Sequence, residues 1–275
     1  MGGSVISSPL PLAGQHVLVT RPAGQAEGFR TLLEAAGATV TTAPTIRLVP
    51  PSDPGALARA AARLAEYDWI VPTSVNAVRR LAAAASAADS TVALATGRLA
   101  AVGPATADAL RGLGVAQCLV PPVYRGEALA DEIVAATGAE SLSDSRILLV
   151  QAERGRPVLR ERLVAAGARV DVAPAYAVEV NRDVRGPLRE FIELGRGDWL
   201  TFTASSAARA FVQLVGAQTG GALVAAISPV TAATLSEFGL PVHVVAATHS
   251  MPGMVDALVA SAARSGRLAA THGHA

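Results

Sequence analysis

Lysine is absent from this 275-residue chain, and all 23 basic residues are arginines. Its absence excludes Schiff-base chemistry through a lysine amine and a Walker-type phosphate loop, which needs the same amine. Cysteine occurs once, as Cys118, so no internal disulfide can form, which fits a reducing compartment. A lone cysteine followed by Leu-Val-Pro-Pro is typical of a small core residue and not of a nucleophile.

An excess of one charge and long apolar runs are also missing. The formal net charge is +1, which leaves no broad basic face for a nucleic acid. No apolar run reaches the length of a membrane span without an Arg, Asp or Glu, and the start of the sequence lacks the basic-then-apolar order of a signal peptide. We therefore expect a cytoplasmic protein that contacts neither nucleic acid nor membrane.

Two kinds of ligand motif are missing as well. The histidines have no metal-ligand spacing with cysteine or acidic residues. No Gly-x-Gly-x-x-Gly fingerprint follows a predicted strand, which argues against a nicotinamide cofactor. The sequence therefore predicts no metal site and no cofactor.

What the chain does contain is a long internal repeat. Residues 17–44 recur at an offset of 130 as residues 147–174. Two further segments recur in the same order, Asp68–Ser74 as Asp198–Ala204 and, at a slightly shorter offset, Ala101–Ala107 as Ala226–Ala232. Two copies of a long unit indicate a duplicated domain and not a solenoid. The length also exceeds that of one hydrophobic core, so we expect two lobes with a ligand-binding cleft between them.

Strands and helices alternate along both halves. In the first half the apolar pattern predicts strands at 16–20, 38–42, 69–72 and 99–102, with helices ending at 36 and spanning 55–66, 74–84 and 106–113. Such alternation is typical of parallel sheets covered by helices on both faces, the doubly wound α/β class. Residues 48–54, which are rich in helix- and strand-ending residues, and residues 178–187 are the linker candidates.

In this class the ligand binds where strands turn into helices, beyond the carboxyl ends of the strands. Thr73 and Ser74 occupy such a turn, where a hydroxyl can cap the helix while backbone N–H groups point toward an anion. Thr203 and Ser205 are expected to do the same in the second copy, and Gly103 allows close backbone approach. Each turn alone is typical of an ordinary helix cap, but four symmetric turns favour binding.

Seven segments together resemble the uroporphyrinogen-III synthase family: VLVTRP, DWIVPTSVNAV, AVGPATADALRGLGV, RGEAL, PAY, TFTASS and PVTAATLSEFGL. The resemblance extends from His16 to Leu258, and it lies in the order and spacing of the segments. It implies a lyase that closes hydroxymethylbilane, a linear tetrapyrrole with eight carboxylates, while it inverts the last ring and releases water. Arginine suits such a ligand, because its planar fork binds carboxylates through two hydrogen bonds. The alternative reason for an all-arginine chain is codon bias.

The same resemblance implies the arrangement of the chain. Two doubly wound parallel-sheet domains, built by an internal duplication, would be joined by a two-stranded antiparallel linker. Residues 1–43 plus 180–275 would form the first domain, and residues 44–179 would form the second, which includes the linker strands. The implied partners are the tetrapyrrole substrate and, in transient contact, the deaminase that precedes this enzyme.

The resemblance also implies roles for individual residues. Tyr176 matches the linker tyrosine of the family, and its phenol could donate a hydrogen bond to a leaving hydroxyl. The alternative is a tyrosine that packs between the lobes with its hydroxyl in water. The cleft-lining positions of the family are matched by Thr73, Ser74, Gly103, Thr106, Thr203, Ser205 and Thr231. Arg21 and Arg154 follow strands in corresponding parts of the halves and could reach carboxylates; solvated surface arginines are the alternative.

The chain departs from the family pattern at Ser228, where a glycine usually precedes the proline. A Cβ there is expected to narrow the approach of a ligand to the backbone. A second function also stays open: a non-catalytic sensor that binds a tetrapyrrole or another polyanion and acts through a partner, since a fold does not fix a function.

Overall fold

The computed structural model of the chain describes residues 10–195 and 197–272. Contacts divide the chain into two compact units. Unit 1 consists of Met1–Arg47 and Glu179–Ala275, and unit 2 consists of Leu48–Val178. Unit 1 is therefore assembled from both ends of the sequence.

Eleven strands are described: β1 (His16–Val19), β2 (Thr39–Thr42), β3 (Ile46–Val49), β4 (Trp69–Pro72), β5 (Leu99–Ala100), β6 (Cys118–Leu119), β7 (Arg146–Ala152), β8 (Arg169–Val180), β9 (Trp199–Phe202), β10 (Leu223–Ala226) and β11 (Val244–Val245).

The α-helices in the same part of the chain are α1 (Ala23–Ala35), α2 (Ala56–Ala61), α3 (Val75–Ala87), α4 (Thr91–Thr96), α5 (Pro104–Arg111), α6 (Gly126–Thr137), α7 (Ala139–Leu142), α8 (Val158–Ala165), α9 (Arg185–Glu193), α10 (Ser205–Val215), α11 (Pro229–Glu237) and α12 (Met251–His272). Short 3-10 turns lie at Leu64–Glu66 and Arg182–Val184. None of the helices in the described ranges combines the length and the apolarity that crossing a bilayer requires.

The sheet of unit 1 has the strand order β11-β10-β9-β1-β2, with all of these pairings parallel. The chain moves outward from β1 to β2 in one direction and from β9 through β10 to β11 in the other. The order therefore reverses between β1 and β9, and this switch point is where such sheets bind ligands. β9 is buried at every position and β1 at three of four, as expected of central strands with both faces covered.

Alternate residues of these strands face two separate cores. Leu18, Leu200 and Phe202 belong to the cluster packed by α9, α10 and α11. Val17 and Trp199 belong to the opposite cluster, which α1 and α12 cover. Helices thus cover both faces of the unit 1 sheet.

The sheet of unit 2 has the strand order β3-β8-β7-β4-β5-β6, and the pairings from β8 to β6 are parallel. Its order reverses between β4 and β7. Ile70 and Leu148 face one core with α2, α3 and α5, while Val71 and Leu149 face the other with α6 and α8. The mixed α/β class with parallel sheets, predicted from the alternating pattern, is confirmed.

Several predicted boundaries differ from the structure. The helix predicted for 55–66 ends at Ala61, because Arg63 leaves helical backbone angles (φ −126°, ψ 26°) before a 3-10 turn. The helix predicted from Thr106 already begins at Pro104, since the fixed φ of proline suits a first helical position. The linker candidate at 178–187 contains the start of α9, because Pro187 lies in the first turn, where its missing N–H is tolerated.

An aspartate ties the amino end of one central strand to its neighbour in each unit. In unit 2, Asp68 accepts the Arg146 backbone N–H at 2.7 Å, and its own N–H donates to the Arg146 carbonyl at 2.8 Å. In unit 1, Asp198 makes the same two bonds to His16, at 2.7 and 2.9 Å. The repeated Asp-Trp pair therefore has a structural role, at the sheet edge opposite the carboxyl ends.

A second polar cluster lies at the same edge of unit 2. Asp171 accepts hydrogen bonds from the Tyr67 hydroxyl at 2.9 Å and from the Arg146 guanidinium at 2.9 and 3.1 Å. Burial alone would raise the pKa of Asp171, but the bonds from Tyr67 and Arg146 outweigh it and hold the pKa below its ordinary value. Burial, with the bond to Asp171, raises the pKa of Tyr67.

The Asp171 cluster predicts a pH-dependent contribution to stability. A carboxyl whose folded pKa lies below its unfolded value of about 3.9 stabilises the fold above that pH and loses this contribution as the pH falls through the folded pKa. We expect Asp171→Asn to lower the melting temperature at pH 6, with the difference from the parent protein shrinking below about pH 4. The side chain is 45% exposed, so the effect should stay within about 1 kcal/mol.

Thermal melts from pH 3 to pH 7 would measure this difference. The matched control is Asp131→Asn, which removes a surface ion pair to Arg162 at 2.7 Å. A difference between Asp171→Asn and the parent that does not change with pH would contradict the assignment.

Candidate functional site

The carboxyl ends of parallel strands meet at one edge of each sheet, and most of the predicted site residues lie at these two edges. In unit 2, Thr73 and Ser74 follow β4, Gly103 follows β5 shortly after its last residue, and Arg154 follows β7. Tyr176 lies within β8, near its carboxyl end. The β4–β7 switch point thus has predicted residues on both of its strands.

Ser74 and Tyr176 are in direct contact. Ser74 is the N-cap of α3, with extended backbone (φ −159°, ψ 161°), and its Oγ accepts the Ala77 N–H at 3.1 Å. The same Oγ lies 3.1 Å from the Tyr176 hydroxyl oxygen. Tyr176 is only 8% exposed and belongs to the core cluster around α3. Its hydroxyl is therefore held by a side chain at the sheet edge.

The neighbouring turn after β7 contributes a residue that the sequence did not single out. The Glu153 N–H donates to the Tyr176 carbonyl at 2.8 Å. Its carboxylate accepts from the Ser52 N–H at 2.6 Å and from the Ser52 hydroxyl at 2.5 Å, and these bonds hold the pKa of Glu153 below its ordinary value. No motif marks Glu153; only its position one residue after a buried strand could have suggested it.

Thr73 and Arg154 differ in how firmly they are held. The Thr73 N–H donates to the Val150 carbonyl at 2.9 Å, which extends the β4–β7 pairing, and the side chain is half-buried. Arg154 is exposed, and in the described ranges no carboxylate lies within ion-pairing distance of it. The placement of Arg154 therefore fits the alternative of a solvated arginine.

Gly103 is the N-cap of α5, and no side chain in the described structure caps this helix. Its backbone is extended (φ −160°, ψ 171°), a conformation that any residue adopts. A Cβ added there would lie 3.6 Å from Cβ of Tyr124, an ordinary contact. The fold itself does not require glycine at this position. Thr106 is only 7% exposed, so it supports the turn more than it lines the surface.

Arg21 follows β1 at the switch point of unit 1 and is held in a fixed position. Its guanidinium donates to the Gln25 carbonyl at 3.1 Å and to the Gln25 side chain at 3.3 Å, and Nη1 lies 3.1 Å from Sδ of Met251. Burial lowers the pKa of this guanidinium. Among the residues that the structure describes, no carboxylate forms an ion pair with Arg21. A half-buried cation at a switch point is suited to bind an anionic group.

The capping prediction for the second copy is wrong. The N-cap of α10 is Ala204, and no side chain in the described part of the chain caps this helix. Thr203 lies one position too early, and the Ser205 hydroxyl bonds to the Val230 carbonyl at 3.4 Å instead. Because Ala204 has no hydroxyl, its side chain cannot cap α10, and the Ala207 N–H donates to the Ala204 backbone carbonyl at 3.1 Å.

The turn before α11 shows what Ser228 does. Its Oγ accepts the Thr231 N–H at 3.3 Å and so caps α11. Serine is a favoured N-cap residue, which explains why the turn accepts it in place of glycine. Thr231 itself is 3% exposed and lies in the first turn of the helix.

Buried threonine side chains at the unit 1 switch point also escaped sequence reasoning. The Thr20 hydroxyl donates to the Thr201 carbonyl at 2.8 Å, and the Thr201 hydroxyl donates to the Leu18 carbonyl at 2.9 Å. Thr45 donates to the Ala207 carbonyl at 3.0 Å. All three threonines are fully buried. Thr20 and Thr201 tie β1 to β9 beside Arg21, and Thr45 ties the segment after β2 to α10.

A cavity of about 940 Å³ lies at the opposite, amino-terminal edge of the unit 2 sheet. Its arginines are already engaged, since Arg98 stacks on Trp69 at 4.3 Å and Arg111 pairs with Asp108. Cys118 lines the same cavity, and burial raises the pKa of its thiol to about 11, so it stays protonated near neutral pH. No group of three or more His, Cys, Asp or Glu side chains is placed to hold a metal within the described ranges.

Comparisons with known proteins agree with the resemblance seen in the sequence. The family model described as uroporphyrinogen-III synthase HemD matches residues 27–256. The uroporphyrinogen-III synthase of Synechococcus elongatus is 29% identical over 257 residues, which cover 90% of this chain and 96% of that protein.

Two solved structures share the fold. The crystal structure of a mutant uroporphyrinogen III synthase from the extremely thermophilic bacterium Thermus thermophilus aligns with a TM-score of 0.64 at 21% identity, over 92% of this chain and all of that one. The enzyme from Helicobacter pylori aligns with a TM-score of 0.58 at 17% identity, over 90% and 98% of the two chains. Since the family model spans most of its length, this chain belongs to the uroporphyrinogen-III synthase family.

Proposed function

We propose that this chain closes hydroxymethylbilane to uroporphyrinogen III, with inversion of ring D and loss of water, and that its substrate binds at the carboxyl edges of the two sheets. The observation that carries the proposal is the family match over residues 27–256. The sensor alternative has no comparable support, since the relatives found by sequence and by structure are named as synthases.

The proposed architecture is that of two doubly wound domains that arose by duplication. Residues 1–43 plus 180–275 would form one domain and 44–179 the other, with a two-stranded antiparallel linker contributed by β3 and β8. Support comes from the division of the chain into two compact units near these boundaries and from the neighbouring positions of β3 and β8 in their sheet. The matching bonds of Asp68 and Asp198 favour a common origin of the two sheets.

The reaction requires one acid and an accurate orientation of the substrate. The lone pair of the adjacent pyrrole nitrogen expels the hydroxyl of the hydroxymethyl group, which gives an electrophilic azafulvene. The substituted carbon of ring D then attacks to form a spiro intermediate, which rearranges. We assign Tyr176 as the group that donates a proton to the departing hydroxyl, because its hydroxyl lies at the carboxyl edge and is held by Ser74.

The acetate and propionate groups of the substrate need cations and N–H or O–H donors. Of the two proposed arginines, Arg21 is the stronger candidate for binding a carboxylate, because Gln25 and Met251 fix its guanidinium. Arg154 is exposed. The hydroxyl and backbone donors proposed to bind these groups lie at the residues that match the cleft-lining positions of the family: Thr73, Ser74, Gly103, Thr106, Thr203, Ser205 and Thr231. The N-terminus of α10 adds backbone N–H groups with a favourable helix dipole, whereas at α5 the first helical residue, Pro104, has no N–H to offer.

A partner protein and a cellular location are also proposed for this enzyme. Hydroxymethylbilane closes to the wrong isomer without an enzyme, so transient contact with the deaminase that produces it would shorten its exposure to water. A cytoplasmic location is supported by the single cysteine, which cannot form an internal disulfide and so fits a reducing compartment.

The function is tested by the isomer of the product. Hydroxymethylbilane is generated in situ, the protein is added, the products are oxidised, and type I and type III uroporphyrins are separated by chromatography. We expect a dominant type III peak that depends on the protein and disappears when heat-denatured protein is used. Type I alone would reject the catalytic function and leave the sensor to be tested by direct binding.

Replacing Tyr176 by phenylalanine should separate catalysis from binding. We expect kcat to fall roughly 100-fold, the lower end of the range for a general acid, while KM changes little because the ring remains. The matched control is Tyr67→Phe, which removes a hydroxyl bonded to Asp171 at the opposite sheet edge and should keep kcat. Full activity of Tyr176→Phe would contradict the assignment of Tyr176 as the acid.

Gly103→Ala tests close approach of the substrate to the α5 turn. The added methyl has space and the backbone is extended, so the free energy of unfolding should change by no more than about 0.5 kcal/mol. KM should nevertheless rise about tenfold, equivalent to ~1.4 kcal/mol of binding, because the methyl lies where the ligand approaches. The control is Gly28→Ala on α1, where a Cβ also meets open space. An unchanged KM for Gly103→Ala would place the substrate elsewhere.

A further inference from the structure

The geometry points to Ser74 as a positioning residue that orients the Tyr176 hydroxyl and assists the release of its proton. This inference rests on the proposed role of Tyr176 as the acid. It goes beyond that role because it assigns the Ser74 hydroxyl to Tyr176 in place of a substrate carboxylate, since a serine has only one hydroxyl hydrogen to donate.

The hydrogen bonds at Ser74 favour Ser74 as the donor in its contact with Tyr176. A serine hydroxyl has one hydrogen to donate and two lone pairs to accept with. One lone pair accepts the Ala77 N–H at 3.1 Å, so the oxygen takes positive polarisation from the amino end of α3. A hydroxyl that accepts one hydrogen bond becomes a stronger donor for a second one. The available acceptor is the Tyr176 hydroxyl oxygen, which lies 3.1 Å from Ser74 Oγ. With Ser74 as the donor, the phenolic hydrogen of Tyr176 is directed away from Ser74 and is available to a ligand.

Tyr176 is otherwise fixed in place by contacts that do not involve Ser74. The Glu153 N–H holds its carbonyl at 2.8 Å, and the ring packs in the core at 8% exposure. The Ser74 hydroxyl, in contrast, meets the phenolic oxygen itself. Loss of the Ser74 hydroxyl would therefore leave the ring where it is and change only the polarity and orientation of its O–H.

The sequence repeat provides an internal comparison. At the offset of 130, Ser74 corresponds to Ala204 and Tyr176 corresponds to Ile46. Ala204 begins α10 with nearly the same backbone angles (φ −160°, ψ 143°) as Ser74 at α3 (φ −159°, ψ 161°). The turn therefore forms without a serine. The hydroxyl at this turn is present in the half that also has the tyrosine, which favours a shared task over a capping role alone.

As the C–O bond of the substrate breaks, the pyrrole nitrogen lone pair forms the new C=N bond and the departing oxygen takes the phenolic proton, so that water leaves. The resulting phenolate accepts a charge-assisted hydrogen bond from Ser74. It regains a proton when ring D releases one on closure of the macrocycle. The sum is loss of one water, and Ser74 stabilises the charge that develops on Tyr176.

The test uses the full chain with Ser74→Ala, Ser74→Thr, Tyr176→Phe and the double variant Ser74→Ala/Tyr176→Phe. We expect Ser74→Ala to lower kcat at least about tenfold with KM nearly unchanged, as for the loss of a hydrogen bond to a charged group. Ser74→Thr should restore most of kcat. In the Tyr176→Phe background, Ser74→Ala should lower kcat little further, because the two residues act as one unit.

The control is Ser250→Ala. It removes a comparable serine cap, because the Gly253 N–H donates to Ser250 Oγ at 3.1 Å, the same distance as from the Ala77 N–H to Ser74 Oγ. It should lower the melting temperature about as much as Ser74→Ala and keep kcat. A readout apart from activity is the 13Cζ resonance of Tyr176 in protein labelled at tyrosine. The resonance should move in Ser74→Ala, return in Ser74→Thr and stay in place in Ser250→Ala.

The outcomes separate this inference from the proposed function. Equal losses of kcat from Ser74→Ala in the parent and in the Tyr176→Phe background would overturn the positioning role, as would an unmoved Tyr176 resonance. If Tyr176→Phe keeps full kcat, the proposed acid itself fails. If Tyr176→Phe is slow while Ser74→Ala is as active as the parent, only the inference about Ser74 fails.

Discussion

Parallel pairing of the central strands is the constraint on which the rest of the structure depends. β4 pairs with β7 and β1 pairs with β9 in parallel, so the turns that follow these strands all emerge at one edge of their sheet. The strand order reverses at these two pairs, which prevents helices from covering the edge there. This arrangement places Ser74, Glu153 and Arg21 at the carboxyl edges of their sheets, although they are far apart in sequence.

The two halves of the sequence repeat have kept the same framework but not the same polar groups. Asp68 and Asp198 make equivalent bonds at the amino ends of their sheets. At the carboxyl ends the halves differ, since unit 1 has the buried threonine bonds of Thr20 and Thr201, whereas the corresponding residues of unit 2 are Val150 and Val71. Framework positions are constrained by packing in both halves, while residues in the turns at the carboxyl edges are free to differ.

An arginine at the carboxyl edge of a sheet can bind an anion more tightly when the fold already holds its side chain in place. Arg21 is anchored through Gln25 and Met251 and has no carboxylate partner in the described structure, so binding an anion would break no existing ion pair. Arg154 occupies the equivalent turn but is exposed, and an exposed arginine must lose side-chain entropy before it can hold a ligand. Arginines in corresponding turns of the two halves therefore differ in how firmly the fold holds them.

The sequence by itself determined the α/β class, the parallel sheets and the turns where site residues lie, because buried strands and amphipathic helices leave periodic patterns that are local. Through the resemblance to a family, it also predicted that Tyr176 and Ser74 belong to the binding site. Only the tertiary structure decided that these two side chains touch, that Ala204 leaves α10 uncapped, that Glu153 anchors both Ser52 and the backbone of Tyr176, and that Arg21 but not Arg154 is held in place. The Ser74–Tyr176 and Ser52–Glu153 bonds join residues about 100 positions apart, and the anchoring of Arg21 depends on the rotamer and burial of one side chain, so neither is encoded in a local pattern.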